Sequence, residues 1–201
     1  MPFSSLNYTR CVVIVHGKSE YHIVRYIYTN LHLPLKIYAR DKGRHSIQIN
    51  SLNTLLKKKP FHSLKAFAQE YAIEYEKKTK ELKNFKLFII MDTDDCDEKT
   101  KQDYISGRLF QGTPLSNYIV PIFNTNSLED AMLKAGIMTK RIASAEKGEY
   151  YSKIFPINTA PHSINTINEV RMFADEIKKV RETNLVEFVE YCISMVSEEY
   201  R

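Results

Sequence analysis

The chain has 201 residues, of which 43% are hydrophobic and 26% charged; this is enough apolar material for one well-buried domain with an appendage and excludes a disordered or fibrous chain. Its 29 basic and 24 acidic residues give a net charge of +5, which favours a polyanionic partner without requiring one. No apolar run is long enough to cross a bilayer, and residues 1–10 are too polar for a secretory signal, so we expect a cytoplasmic protein with no membrane partner.

The first two predicted elements form a βα unit. Residues 11–16 are mostly β-branched and end at Gly17, which is typical of a strand buried on both faces of a parallel sheet. Apolar residues then return at helical spacing from about Glu20 to Leu31, and Ser19 is the predicted N-cap of this helix. The sequence therefore predicts a strand followed directly by a helix.

The next part of the chain carries one more predicted strand and two predicted helices. The strand, 35–39, follows Pro34 and leads into the polar loop 40–46, which is rich in hydrogen-bond donors. Apolar spacing then predicts a short helix over 49–56 and a long helix over 61–82, whose many lysines and glutamates would form a solvated face.

The clearest strand in the sequence, 86–91, ends directly in the acidic run 92–97. A helix is predicted over 98–106 and a further strand over 118–123. Pro121 inside that strand indicates a sheet edge, because proline cannot donate a hydrogen bond to a neighbouring strand.

The remainder of the chain is predicted to be mainly helical. Ser127 can cap a helix that ends near Gly136. Beyond it we expect a linker-like stretch over 147–162 and helical segments near 165–180 and 185–200. The apolar spacing of this tail would also allow a homodimer.

Strands and helices alternate in the predicted order, which indicates an α/β fold: a mainly parallel, Rossmann-like sheet with helices on both faces. We expect this domain to span 10–137, with 138–201 as a helical C-terminal appendage packed on the core. The ligands of such sheets gather at the carboxyl ends of the strands. The three cysteines match no disulfide or zinc spacing, so we expect free thiols.

Two carboxylates follow the clearest strand. Alternate side chains of an extended backbone share a side, so Asp92 and Asp94 would point together, and Asp95 would begin the turn. Magnesium takes oxygen ligands and keeps several waters, so one or two carboxylates at a strand end are a sufficient protein contribution. The alternative is that these acids only cap and stabilise the next helix.

The end of the first strand would open onto the same crevice. There Gly17 permits a close approach of the backbone to a phosphate, Lys18 offers a positive charge, and Glu20 can add a carboxylate. Glu20 has an alternative role as a first-turn glutamate that stabilises its own helix. Two strand ends thus predict one shared site.

These two segments resemble the Toprim superfamily, which includes topoisomerases, bacterial primases, small maturation ribonucleases and the nucleases of OLD-like and RloB-like phage-defence systems. The resemblance rests on the motif His-Gly-Lys-Ser-Glu at 16–20 and the motif Met-Asp-Thr-Asp-Asp at 91–95, and it covers roughly residues 10–137. The segment 126–130 also resembles the acidic helix start of the OLD-like branch.

The resemblance implies a set of metal ligands for Mg²⁺ or Mn²⁺. Asp92 and Asp94 match the family's Asp-x-Asp pair, and Glu20 matches the second acidic position of its Glu-Gly-Lys-x-Glu motif. Glu129 would be an auxiliary ligand, with Asp130 as a further candidate.

The family's strand-end glutamate, which is credited with acid/base work, falls on His16 here. Three accounts stay open: His16 is the acid/base, His16 is a metal ligand, or Glu20 has taken over the role. In a fourth account the protein has lost catalysis and keeps only binding. Lys18 would assist catalysis or contact phosphate, and Arg44 and His45 would contact phosphate oxygens unless they are simply part of an exposed loop.

The predicted function is a metal-dependent nuclease that hydrolyses a phosphodiester of DNA or RNA, and the resemblance adds bacterial phage defence or abortive infection as a setting. The sequence has no Gly-x-x-x-x-Gly-Lys-Ser/Thr loop, so an ATPase or other defence partner would be a separate protein. The alternative is a catalytically degenerate module that binds nucleic acid or protein. A receiver-like domain is less favoured, because its acidic pair would follow the first strand.

Overall fold

In the computed structural model, which describes residues 8–143, 145–157 and 164–199, strands and helices alternate along most of the chain. The strands are β1 (Cys11–Val15), β2 (Leu35–Tyr38), β3 (Tyr75–Glu76), β4 (Glu81–Leu82), β5 (Lys86–Asp92) and β6 (Ile119–Asn124). The helices are α1 (Lys18–Asn30), α2 (Ile49–Leu56), α3 (Leu64–Tyr71), α4 (Glu98–Ile105), α5 (Leu128–Lys134), α6 (Lys147–Ile154), α7 (Ile164–Ile177) and α8 (Leu185–Glu199). Short 3₁₀ turns lie at Asp41–Gly43, Arg108–Phe110 and Ser116–Tyr118.

Four strands form one sheet, in the order β2-β1-β5-β6, and every pair in it is parallel. Cys11 of β1 stands opposite Leu35 of β2 and Lys86 of β5, so these three strands start in register. The central strands β1 and β5 are buried almost throughout, as their unbroken apolar sequences predict. β6 lies at an edge, which confirms the position predicted from Pro121.

The sheet separates two hydrophobic clusters. Side chains on one face, such as Val13 and Phe88, pack with α1, α5, α6, α7 and α8. Side chains on the other face, such as Val12 and Ile89, pack with α2, α3 and α4. This division follows from the alternation of side chains along each strand. Helices therefore cover both faces, and the predicted α/β, Rossmann-like architecture is confirmed.

The prediction of one long helix over 61–82 is wrong. α3 begins after Ser63, whose hydroxyl accepts a hydrogen bond from the Ala66 amide. It ends at Tyr71. The next residue, Ala72, adopts a left-handed conformation with φ 53°, and its carbonyl accepts a hydrogen bond from the Thr9 amide. β3 and β4 then form an antiparallel hairpin. The hydrogen bond between Thr9, just before β1, and Ala72, just after α3, is a long-range contact that overrides the helical spacing of the segment.

Two further predictions need correction. α1 begins at Lys18 with Gly17 as its N-cap, so Ser19 lies inside the helix rather than capping it. The stretch 147–162, predicted to be a linker, begins with helix α6, and its residues 158–162 lie outside the described part of the chain.

The C-terminal helices α7 and α8 cover the α1 side of the sheet, close to the positions predicted near 165–180 and 185–200. Phe188 and Tyr191 of α8 pack against Phe88 of β5, each with a ring centroid separation of 5.2 Å. The predicted helical appendage therefore shares a core with the sheet. Among the described helices, none has the length and apolar character needed to cross a membrane.

The outer edge of β6 is covered by the segment that leads into α8. The side chain of Asn184 accepts a hydrogen bond from the Phe123 amide and donates one to the Pro121 carbonyl. The Thr125 amide donates to the Glu182 carbonyl at 2.7 Å. These bonds take the place of a further strand.

Candidate acidic site at the carboxyl edge of the sheet

Acidic side chains from three elements meet at the carboxyl edge of the parallel sheet. Asp92 is the last residue of β5, Glu20 lies in the first turn of α1, and Glu129 lies in the first turn of α5. All three are buried, with relative exposures of 8%, 2% and 8%. The topology thus brings together three of the residues predicted from the sequence, and we call these three the acidic site.

Glu20 uses only one of its carboxylate oxygens. Its Oε2 accepts a 2.9 Å hydrogen bond from the Gly17 amide, whereas its Oε1 is buried without a hydrogen-bond partner in the described structure. Burial, reinforced by the negative charge of Glu129, raises the pKa of Glu20 to about 7. Glu20 therefore stabilises the start of α1 through one oxygen and leaves the other available to a ligand.

Asp92 is fixed by donors from the neighbouring strand and helix. Its Oδ1 accepts hydrogen bonds from the Asn124 side chain at 2.9 Å and from the Leu128 amide at 3.0 Å. Burial, followed by the charge of Glu20, raises the pKa of Asp92 to about 8. Near pH 7 the carboxyls of Glu20 and Asp92 therefore retain protons that ordinary carboxyls have lost.

Glu129 has a positively charged partner. Its Oε1 accepts a hydrogen bond from the Ser19 hydroxyl, and the Lys147 ammonium of α6 lies 2.5 Å from the same oxygen. Burial alone would raise the pKa of Glu129, but the hydrogen bonds from Lys147 and Ser19 outweigh it and hold the pKa below its usual value. The sequence does not assign Lys147 to the site, because it falls in the predicted linker. The helical spacing of the buried Tyr151 and Phe155 is the signal that indicates a helix there.

His16 and Asp95 add unpaired polar atoms beside the acidic site. The Nδ1 of His16 and both carboxylate oxygens of Asp95 are buried without a hydrogen-bond partner among the described residues. Burial raises the pKa of Asp95, and the charge of His16 opposes that shift as it does for Asp92. His16 therefore lies within electrostatic reach of two aspartates. The burial of the Asp95 carboxylate oxygens has no signal in the sequence, where Asp95 is only the first residue of a turn.

Two other predicted ligands are not buried. Asp94 is exposed in the turn after β5, because the extended backbone ends at Asp92 and the alternation of side chains ends with it. Asp130 forms an ion pair with Arg141 at the surface. The role of Asp94 and Asp130 as metal ligands stays a prediction.

The predicted phosphate-contacting residues surround the turn between β1 and α1. Lys18 is half-buried, and a Cβ added to Gly148 of α6 would lie 3.3 Å from its Nζ, so the Lys18 ammonium lies against α6. Arg44 and His45 are exposed, and Arg44 lies 3.7 Å from the Asp41 carboxylate. Arg44 and His45 are therefore accessible to a polyanion.

Gly43 positions the loop that carries Arg44 and His45. It has φ +84°, and a Cβ there would lie 2.6 Å from the Gly17 carbonyl oxygen and 2.9 Å from the Lys18 Cα. A side chain at this position would therefore push the loop away from the β1–α1 turn. The glycine holds Arg44 and His45 next to the β1–α1 turn.

The donor chemistry of the site suits a hard cation. Within residues 8–143, 145–157 and 164–199, no group of three or more His, Cys, Asp or Glu side chains is arranged to hold a metal ion. The unpaired Oε1 of Glu20 and the unpaired oxygens of Asp95 are nevertheless the type of ligand that magnesium and manganese accept.

Comparisons with known proteins do not identify a family. No protein-family model, no curated protein and no solved structure matches the chain. The resemblance to Toprim proteins therefore rests on the motifs at 16–20 and 91–95 and stays a prediction.

Proposed function

We propose that the chain is a divalent-metal-dependent phosphodiesterase that cleaves nucleic acid. The observation that carries the proposal is the burial of Glu20 and Asp92 in electrostatic contact at the carboxyl edge of a parallel sheet, with raised pKa values and one unpaired Glu20 oxygen. Burying a carboxylate without a cation costs on the order of several kcal/mol. Binding of Mg²⁺ or Mn²⁺ would relieve that penalty, which explains why a fold would retain the pair.

The side chains around the pair suit hydrolysis of a phosphodiester. A bound divalent ion would polarise the phosphate and lower the pKa of a water molecule. Glu20 would hold the ion through its unpaired Oε1, and Lys18 would neutralise phosphate charge. His16, whose Nδ1 is unpaired beside two aspartates, is the residue that we assign to proton transfer.

Charge at the rim of the site supports nucleic acid as the substrate. The chain carries a net charge of +5, and Arg44 and His45 are exposed on the loop that Gly43 docks against the β1–α1 turn. DNA and RNA offer the same phosphates to these side chains. A role in bacterial phage defence, a separate ATPase partner and a homodimer stay predictions.

One observation favours the second candidate, a non-catalytic binding module. Lys147 already neutralises Glu129, and Asn124 and Leu128 already donate to Asp92, so much of the site is satisfied without a metal ion. A site of this kind could bind nucleic acid or protein through the loop that carries Arg44 and His45, without a metal ion.

Cleavage assays separate the two candidates. Purified protein would be incubated with labelled RNA, single-stranded DNA and duplex DNA in Mg²⁺, in Mn²⁺ and in chelator. We expect metal-dependent cleavage that Asp92→Asn lowers at least a hundredfold, because asparagine keeps an acceptor for Asn124 and Leu128 but loses the charge that holds a cation. Glu98→Gln, an exposed first-turn substitution in the nearby α4, is the matched control and should cleave normally.

Folded wild-type protein that cleaves none of the three substrates with either metal would exclude the enzyme. Gel-shift binding of the same substrates, weakened by a combined Arg44→Gln and His45→Gln variant, would then support the binding module. Equal cleavage by the wild type and Asp92→Asn would instead remove the acidic site from the mechanism.

A further inference from the structure

A cavity of about 520 Å³ lies near the amino ends of the strands, whereas the acidic site lies at their carboxyl ends. It is bounded by α3, the β3–β4 hairpin and the residue Tyr8 that precedes β1. The hydrogen bond from the Thr9 amide to the Ala72 carbonyl fixes this region at the amino end of β1. Because β1 has 5 residues and each step between them rises about 3.3 Å, its two ends are about 13 Å apart.

The cavity combines an apolar wall with a cationic rim. Tyr8, which is 38% exposed, is one of the few large apolar side chains that are well exposed in the described structure. The wall is formed by Tyr8, Ala68, Ala72, Ile73 and Tyr75, and the rim by Lys65, Gln69, Lys77 and Lys80. None of these described lining residues carries a carboxylate, so the charge of the cavity has one sign.

Two backbone carbonyls of the wall are already paired, whereas the rim lysines are not in ion pairs with described carboxylates. The Ala68 carbonyl accepts hydrogen bonds from the amides of Ala72 and Ile73, and the Ala72 carbonyl accepts one from Thr9. Among the described residues no carboxylate is paired with the three rim lysines; the neighbouring Lys83 is the lysine that pairs, with Glu81. The cavity therefore offers apolar surface and unneutralised positive charge, but few hydrogen-bond donors from its wall.

We propose that this lysine-rimmed cavity binds a nucleotide, with the base against the tyrosines and the phosphate on the lysines. Its volume lies within the range of about 300–1,000 Å³ that is usual for small-molecule sites. Aromatic side chains stack on any base, and lysines act as point charges for phosphate. An uncharged apolar ligand would leave the three lysines without a role. The proposal uses no residue of the acidic site and is independent of the proposed function.

A free nucleotide and one unit of a single-stranded nucleic acid present the same base and phosphate, and calorimetry distinguishes them. The full chain would be titrated, with chelator present, with ATP, GTP, CTP, UTP, tripolyphosphate and a pentanucleotide. We expect at least one nucleoside triphosphate to bind at least tenfold more tightly than tripolyphosphate. A pentanucleotide that binds more tightly than every triphosphate would assign the cavity to a strand, and weaker or equal binding would assign it to the free nucleotide.

Variants of exposed residues test the two halves of the cavity without disturbing the core. Lys77→Gln combined with Lys80→Gln should weaken nucleotide binding about tenfold, because two phosphate contacts are lost. Lys78→Gln lies in the same hairpin turn but not in the cavity lining, so it should bind as the wild type does. Tyr8→Ala should weaken the nucleotide about fivefold and leave tripolyphosphate unchanged.

The proposal is overturned if no nucleotide binds better than tripolyphosphate, because the lysines then attract any polyanion. It is also overturned if Lys78→Gln weakens binding as much as the Lys77 and Lys80 double variant, or if the double variant binds as the wild type does.

Discussion

Replacing Glu20 with glutamine tests the acidic site without any substrate. Burial raises the pKa of Glu20 from 4.5 to about 7, so the folded chain binds this proton more tightly than the unfolded chain does. The resulting stability is fully present below pH 4.5 and is lost as the pH rises to about 7. At about 1.36 kcal/mol per pH unit, the wild type loses on the order of 3 kcal/mol across this window.

Glutamine cannot ionise, but it keeps a carbonyl oxygen that accepts from the Gly17 amide. We therefore expect the free energy of unfolding of Glu20→Gln, relative to that of the wild type, to rise by about 1–3 kcal/mol between pH 5 and pH 8. Urea unfolding followed by circular dichroism from pH 5 to pH 9, in chelator, measures the difference. Glu70→Gln makes the same substitution at an exposed position of α3 and is the matched control.

A stability difference that stays constant from pH 5 to pH 9 would refute this reasoning, because it would mean that the Glu20 carboxyl does not titrate differently in the folded chain. A second series with saturating Mg²⁺ extends the test. If the site binds the ion, the wild type should gain stability at pH 8 as RT ln(1 + [Mg²⁺]/Kd), and the variant should gain less.

Three further substitutions test other parts of the structure. Lys147→Met should tighten Mg²⁺ binding at least threefold by calorimetry, because a cation no longer competes with an ammonium for Glu129; unchanged affinity would place the ion elsewhere. Gly43→Ala should lower the free energy of unfolding by about 2–4 kcal/mol, because its Cβ would lie 2.6 Å from a backbone oxygen, whereas Gly112→Ala, at φ +81° in open space, should cost about 1 kcal/mol. Phe188→Ala should cost about 3–5 kcal/mol in one cooperative urea transition, and a two-step curve would mean that the C-terminal helices unfold separately.

The parallel sheet is predictable because its central strands are fully buried. A strand that is covered on both faces needs apolar residues at every position, and 11–15 and 86–91 have them apart from the first residue of β5. The helix predicted over 61–82 is wrong because a contact between distant residues decides its end. The apolar residues of this segment fit a helix, but the Thr9 amide holds the Ala72 carbonyl across the chain, and local spacing does not register such a contact.

The acidic site is partly predictable for the same topological reason. Glu20 and Asp92 follow parallel strands, so their convergence is implied by the order of elements. Lys147 reaches the site only because α6 packs on α1, where the rings of His22 and Tyr151 stack with centroids 5.8 Å apart. Contacts of this kind between distant helices leave no spacing pattern in the sequence.

The covered edge of β6 determines where a further strand could pair with this sheet. An exposed edge strand recruits other strands, either from a partner peptide or from a second copy of the chain. On the β6 side Pro121 has no amide hydrogen to offer, and the Asn184 side chain occupies the Phe123 amide and the Pro121 carbonyl. Any strand added to this sheet would therefore have to pair with β2, on the side of the sheet where the loop bearing Arg44 and His45 emerges.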